Sequence, residues 1–168
     1  MKAITLWQPW ASLIVSGSKK IETRGWETKY CGLLAIHAAQ KRDKAGLELM
    51  DTPCFQEGLK IYDTCGRGKV WVTDLTLTFG AVLGTVELVG CLKVENYDEL
   101  NECAYLDNGS EWIIIDGNEY FYGNYEPGRF AWILKNPRIF SKPISARGQQ
   151  GFWNWEPEAG LQYADGKK

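Results

Sequence analysis

Residues 1–26 read MKAITLWQPWASLIVSGSKKIETRGW, and the change of period along them decides the fold. From Lys2 to Leu6 the chain alternates, with Ala3 and Thr5 on one face and Ile4 and Leu6 on the other, as in a short strand. Pro9 suits a first helical turn, where its fixed φ is already right and its missing N–H costs nothing. Trp10, Leu13 and Ile14 follow at helical spacing, and Gly17 stands where a left-handed residue ends a helix. Lys19 to Arg24 then predicts an extended segment.

Outward from this start, β signals dominate. Leu33 to Ala39 reads as a buried strand after Gly32. Lys41 to Ile61 is helical in pattern, and Pro53 divides it into two helices by removing a hydrogen bond. Cys65 to Lys69 reads as a loop, and Lys69 to Phe79 as a strand or an extended insertion. Ala81 to Val94 predicts a long strand bent at Gly84 and Gly90, and Asp98 to Leu106 a short helix. Trp112–Ile115 and Glu119–Tyr122 predict a hairpin around Asp116-Gly117-Asn118. Phe130 to Leu134 predicts a strand ended by Asn136-Pro137, and Gly160 to Lys168 a frayed polar tail. Strands that do not alternate regularly with helices point to a small barrel-like α+β domain rather than a βαβ array.

Composition narrows the function. A chain of 168 residues, 45% apolar and 24% charged, is one folded domain and not a disordered segment. No apolar run approaches the roughly 20 residues that span a bilayer, and Lys2 is not followed by a secretory apolar region. A cytoplasmic protein that engages no membrane is expected. The net charge of −2 excludes a DNA binder driven by massed cations but permits a local basic cleft. The five cysteines (Cys31, Cys54, Cys65, Cys91, Cys103) and the single His37 form no close ligand pairs, so no metal, cofactor or disulfide framework is expected. No phosphate-binding glycine motif and no nucleophile elbow is present. The 8 Trp, 8 Tyr and 6 Phe fit either a core of large rings or a cleft whose rings stack on a planar ligand.

Three clusters carry chemistry. On an extended segment Lys20, Glu22, Arg24 and Trp26 share a face, while Ile21 and Thr23 take the other. A Glu22–Arg24 pair there is suited to accept from a base amino group and donate to a phosphate or carbonyl, or is a plain surface ion pair. The second cluster, Gly123 to Trp132, turns at Pro127-Gly128, after which Arg129, Phe130 and Trp132 enter a strand; it is either part of a site or a hairpin loop with its rings in the core. Arg147, Gly148, Gln149, Gln150 and Gly151 form either a backbone-donor loop for an anion or a closing loop packed down by Trp153 and Trp155. His37, inside an apolar run, is a core histidine or a base.

Leu6-Trp7-Gln8-Pro9-Trp10-Ala11 followed by Gly17-x-Lys19-x-x-Glu22-x-Arg24 resembles the signature of the ASCH domain, a relative of the PUA-like RNA-binding fold. Leu34–Ala38, Gly84–Leu88 and Phe130–Leu134 match that family's later strands in order. The resemblance covers residues 1–155. It implies one domain over 1–157 with a possible insertion at 64–78, and a polar tail over 158–168. It also implies a small PUA-like β-barrel flanked by helices, with a cleft between the Gln-Pro helix start and the GxKxxExR segment that binds RNA or a small nucleoside or nucleotide. The residues nominated for binding are Trp7, Gln8, Pro9, Trp10, Lys19, Glu22, Arg24, Trp26, His37, Arg129 and Trp132.

Some small bacterial members of that family are amidohydrolases that deacylate N4-acetylcytidine. They resemble this chain at Lys19 and Arg24 but carry a threonine nucleophile where it has Glu22. Thr23, one position along, falls on the opposite face. An enzyme of this kind would depend on Lys19, on Glu22 as a base acting on water, and on Glu87 as a partner carboxylate.

Overall fold

The computed structural model describes residues 1–62, 69–71, 77–157 and 160–164. Strand β1 (Lys2–Leu6) pairs antiparallel with β10 (Phe152–Asn154) and parallel with β3 (Gly32–Ala38). Parallel neighbours need a long crossover. Here it carries helix α1 (Trp10–Val15) and strand β2 (Ile21–Arg24). Strand β3 pairs with β6 (Ala81–Asp98), whose far half continues on the same edge with β7 (Cys103–Asp107) and then β8 (Trp112–Ile115). The other edge of β6 takes β9 (Phe130–Ser145), and β9 holds β2 on its outer side. The result is one eight-stranded sheet.

Register shifts along β6 opposite β9 coil this sheet. Gly84 is required at one of them, because a Cβ there would lie 2.1 Å from the Arg138 carbonyl oxygen. The mixed α+β class is as expected, but the barrel is not closed by backbone pairing. Among the described residues nothing pairs β2 with β10. Rings fill the gap instead. Trp132 on β9 stacks on Phe152 of β10 at 5.0 Å, and Trp26 meets both edge-on at 4.6 and 5.2 Å.

The main core lies inside the coil and is built from Ile4, Leu6, Ile14, Leu34, Ile36, Leu88 and Trp132. A second cluster joins α1 to a helical segment made of α2 (Lys44–Glu48), a 3₁₀ turn (Leu49–Asp51) and α3 (Pro53–Gly58), with Leu13, Phe55, Leu59 and Tyr122 at its centre. Strands β4 (Lys60–Tyr62) and β5 (Lys69–Trp71) form a separate pair, so the helical pattern stops short of Ile61.

Four further expectations are corrected. Residues 98–106 hold no helix. The Asp98 carboxylate accepts from the N–H groups of Leu100 and Asn101, a local turn that leads into β7. The 119–122 segment is helix α4 (Gly117–Phe121) and not a hairpin arm, and β8 pairs with β7 instead. Strand β9 runs through Asn136-Pro137, which sit at a bulge where the proline has no ladder bond to lose. The tail is held as far as Ala164, whose N–H donates to the Ile139 carbonyl. Most of the possible insertion at 64–78, including the loop at 65–68, lies outside the described residues.

Candidate functional site

The turn from β1 into α1 is capped from within. Gln8 is buried, accepts from the Ser12 N–H at 3.1 Å and donates to the Thr78 carbonyl at 2.9 Å. Pro9, after a cis peptide bond, is the helix N-cap. With Gln8 turned inward, Trp7 is left 46% exposed.

The Lys19 to Arg24 segment is fixed by α4. The Lys19 side chain is only 1% exposed, and its Nζ donates to the Tyr122 carbonyl at 2.9 Å. The Glu119 carboxylate stands 4.0 Å from that nitrogen and accepts from the backbone N–H groups of Lys20 and Ile21 at 2.7 and 3.1 Å. Burial pulls the Lys19 pKa down, opposed by Glu22 and Glu119. Burial likewise pushes Glu119 up, opposed by Lys19 and the two backbone donors. The loop after α4 is tied to β2 as well. Thr23 Oγ1 accepts from the Asn124 N–H at 3.1 Å, and Arg129 donates to the carbonyls of Asn124 and Thr23 at 3.1 and 3.3 Å.

These ties open a first cleft of about 410 Å³. Trp7 and Trp10 come from the β1–α1 turn, Glu22 and Arg24 from β2, and Phe121 and Asn124 from the end of α4. Arg24 lies 3.6 Å from Glu22 Oε1, its guanidinium sits 6.0 Å from the Trp132 ring centre, and its buried Nε has no partner among the described residues.

A second cleft of about 700 Å³ shares Thr5, Trp7 and Arg24 with the first. Its other walls are His37, the Gln40-Lys41 segment and the loop at 145–151. His37 Nε2 lies 3.0 Å from the Ala146 carbonyl. A carbonyl only accepts, so Nε2 carries the proton and the buried Nδ1 is left as an acceptor without a partner. Burial lowers the His37 pKa, against the backbone bond to Ala146.

Of the nominated residues, Trp7, Trp10, Glu22 and Arg24 meet in the first cleft. His37 joins Trp7 and Arg24 in the second. The others have different placements. Trp132 is wholly buried in the core, and Trp26 packs edge-on against it and lines neither cleft. Gln8 and Pro9 shape the helix start, Lys19 anchors α4 and Arg129 braces the loop after it. Glu87 is not brought to Lys19. It is exposed and accepts from Asn136 Nδ2 at 2.8 Å, while the carboxylates facing Lys19 are Glu22 and Glu119. Glu119 and Phe121 escaped nomination because their segment read as a strand, and Asn124 because its segment read as a hairpin loop. The spacing Asp116-x-x-Glu119, a helix-start pattern, was the signal for them.

Among the described residues no cluster of three or more His, Cys, Asp or Glu is arranged to hold a metal ion, and Cys31, Cys54, Cys91 and Cys103 are free thiols. No described helix is long and apolar enough to cross a membrane.

With the cleft built from the Gln-Pro turn and the GxKxxExR strand, comparison with known families is decisive. The ASCH domain model matches residues 4–144. The chain belongs to the ASCH domain family. Among curated proteins this ASCH domain is 32% identical over 152 residues to activating signal cointegrator 1 of Mus musculus, and 34% identical over 152 residues to that of Homo sapiens. Each match takes in 89% of the chain but only 21% of the relative, so the chain spans about a fifth of those proteins. Among solved structures, ASCH from Zymomonas mobilis aligns over 94% of this chain and 87% of its own, at 17% identity and a TM-score of 0.47. A mutant form of that protein aligns with the same TM-score at 16% identity, over 94% of this chain and 90% of its own.

Proposed function

We propose that this ASCH domain is a binding module that takes a nucleobase, from RNA or from a nucleotide, into the first cleft. One observation carries this reading. Two large rings, Trp7 at 46% and Phe121 at 43% exposure, stand beside a hydrogen-bonding set of Glu22, Arg24 and Asn124 in a single concavity. Rings left in water next to groups that accept and donate suit a flat, polar-edged ligand better than an apolar partner. Glu22 accepts from an exocyclic amino group, Arg24 donates to a carbonyl, and Asn124, its amide braced at both ends by Glu126, keeps one N–H and one lone pair for the same edge. The rings supply stacking, worth about 1–3 kcal/mol per base.

The catalytic alternative, deacylation of an acylated cytidine, has Glu22 in the cleft as the candidate base. It has less support. The Lys19 amine is spent on the Tyr122 carbonyl and does not line the cleft, and Glu87 stands elsewhere. Titration of the four nucleosides and their monophosphates, followed by tryptophan quenching, separates the two readings when paired with a chromatographic assay on N4-acetylcytidine. Saturable quenching without turnover, with a base preference altered in Glu22→Gln, is expected. Release of cytidine that Glu22→Gln abolishes would replace the binding reading with the catalytic one.

A further inference from the structure

The first cleft does not end at Trp7, because that side chain and Arg24 also line the second. The second cleft gathers Arg24, Lys41 and Arg147 and has no carboxylate among its lining residues. In a chain of net charge −2 this is a local reversal of sign. Lys41 Nζ lies 6.0 Å from the Trp7 ring centre, so one cation stands next to a ring that both clefts share.

The opposite wall is a built one. His37, 1% exposed, donates through Nε2 to Ala146 and so fixes the start of the loop. Gly148 then passes so close over the imidazole that a Cβ would lie 2.5 Å from Cε1 and 2.7 Å from both Nδ1 and Thr5 Oγ1. Gly148 and Gly151 line the cleft, so backbone forms this wall alongside the Gln149 and Gln150 side chains. Guanidinium and ammonium groups facing exposed loop backbone are the chemistry that receives an oxyanion.

We infer that the second cleft takes the phosphate of a ligand whose base occupies the first, which makes that ligand a nucleotide or an RNA strand rather than a free nucleoside. This rests on the base-binding reading above. Arg24, common to both clefts, spans the junction between base and phosphate.

The test compares each nucleoside with its 5′-monophosphate, a short oligouridylate and inorganic tripolyphosphate, on the wild-type protein, Lys41→Ala/Arg147→Ala and Trp7→Ala. The expected result is a monophosphate that binds about tenfold or more tightly than its nucleoside. The double variant brings monophosphate affinity down to the nucleoside level and flattens the salt dependence of oligouridylate binding. An oligouridylate tighter than the monophosphate assigns the phosphate to RNA, and one no tighter assigns it to a free nucleotide. Equal affinity for nucleoside and monophosphate, both weakened by Trp7→Ala, overturns the phosphate assignment and leaves the base reading standing. Tripolyphosphate bound as tightly as any nucleotide, and unaffected by Trp7→Ala, overturns the base reading and with it the nucleotide assignment. No binding of any of them overturns both.

Discussion

The Lys19 Nζ donates a 2.9 Å hydrogen bond to the backbone carbonyl of Tyr122, the buried member of a set of bonds that join the strand carrying Glu22 and Arg24 to the helix end carrying Phe121 and Asn124. The lysine of the GxKxxExR segment therefore acts on the cleft from behind. With Glu119 and Thr23 it holds the two walls together, and it takes no place in either.

Lys19→Met keeps most of the side chain's volume and removes the charge. It leaves the Tyr122 carbonyl without its donor and Glu119 without its cation, so a loss of about 3–5 kcal/mol is expected, the scale for breaking a buried pair. Urea unfolding measures it. A variant as stable as the wild type would show that Lys19 is no anchor and would reopen a chemical role for it.

Trp7→Ala and Trp132→Ala should separate cleanly. Trp132 is wholly buried in the main core, and its truncation should cost about 3–5 kcal/mol of stability. Trp7 is 46% exposed, so its truncation should leave stability within about 0.5 kcal/mol while weakening nucleotide binding by about 1–3 kcal/mol. Thermal melts and tryptophan quenching report the two effects independently.

His37 is the only histidine, which makes its linkage to stability readable. Its folded pKa is lowered below the ordinary 6.5 by burial, so on acidification the unfolded chain takes up the proton first. Stability should therefore fall as pH drops through 6.5 towards the folded value, and level off on this account above 6.5. In His37→Gln the slope of urea midpoints between neutral and mildly acidic pH should shrink. An unchanged slope would show that His37 is free to charge in the folded protein.

Gly148→Ala drives a Cβ against the His37 ring and Thr5 Oγ1, and the backbone loop rather than the packed ring should give way. The expected stability loss is about 1–3 kcal/mol, the usual range for overpacking. Monophosphate affinity should fall with it while nucleoside affinity holds. Parallel losses for nucleoside and monophosphate would mean that the loop supports the whole site.

The opening of the fold, from Lys2 to Arg24, was legible because its periods are unmixed. Strand spacing in Lys2–Leu6, helical spacing to Gly17 and extended spacing to Arg24 each have a stop signal where the next begins. The segment from Asp98 to Phe121 was not legible, because its outcome turns on side-chain bonds. Asp98 forms a turn where composition suggested a helix, and Glu119 is drawn to backbone donors across the fold where a hairpin was expected. Trp7 and Trp132 are the same residue type, and the pairing of β9 with β2 and β6 sends Trp132 inward, while Trp7 stands in the turn after β1. Glu22 and Arg24 were legible as a pair because alternation alone puts them on one side of the strand. The contribution of α4 to the cleft was hidden behind the misread helix.

The measurement that bears most directly on the central claim is a titration of isotope-labelled protein with the best-bound nucleotide, followed by backbone amide shifts. The account predicts that the largest changes fall at Leu6–Trp7, Glu22–Arg24 and Phe121–Asn124, with weaker ones at Lys41 and Arg147–Gly151. Changes confined to another surface, such as the exposed Trp112 and Ile114 on β8, with those segments unmoved, would contradict it.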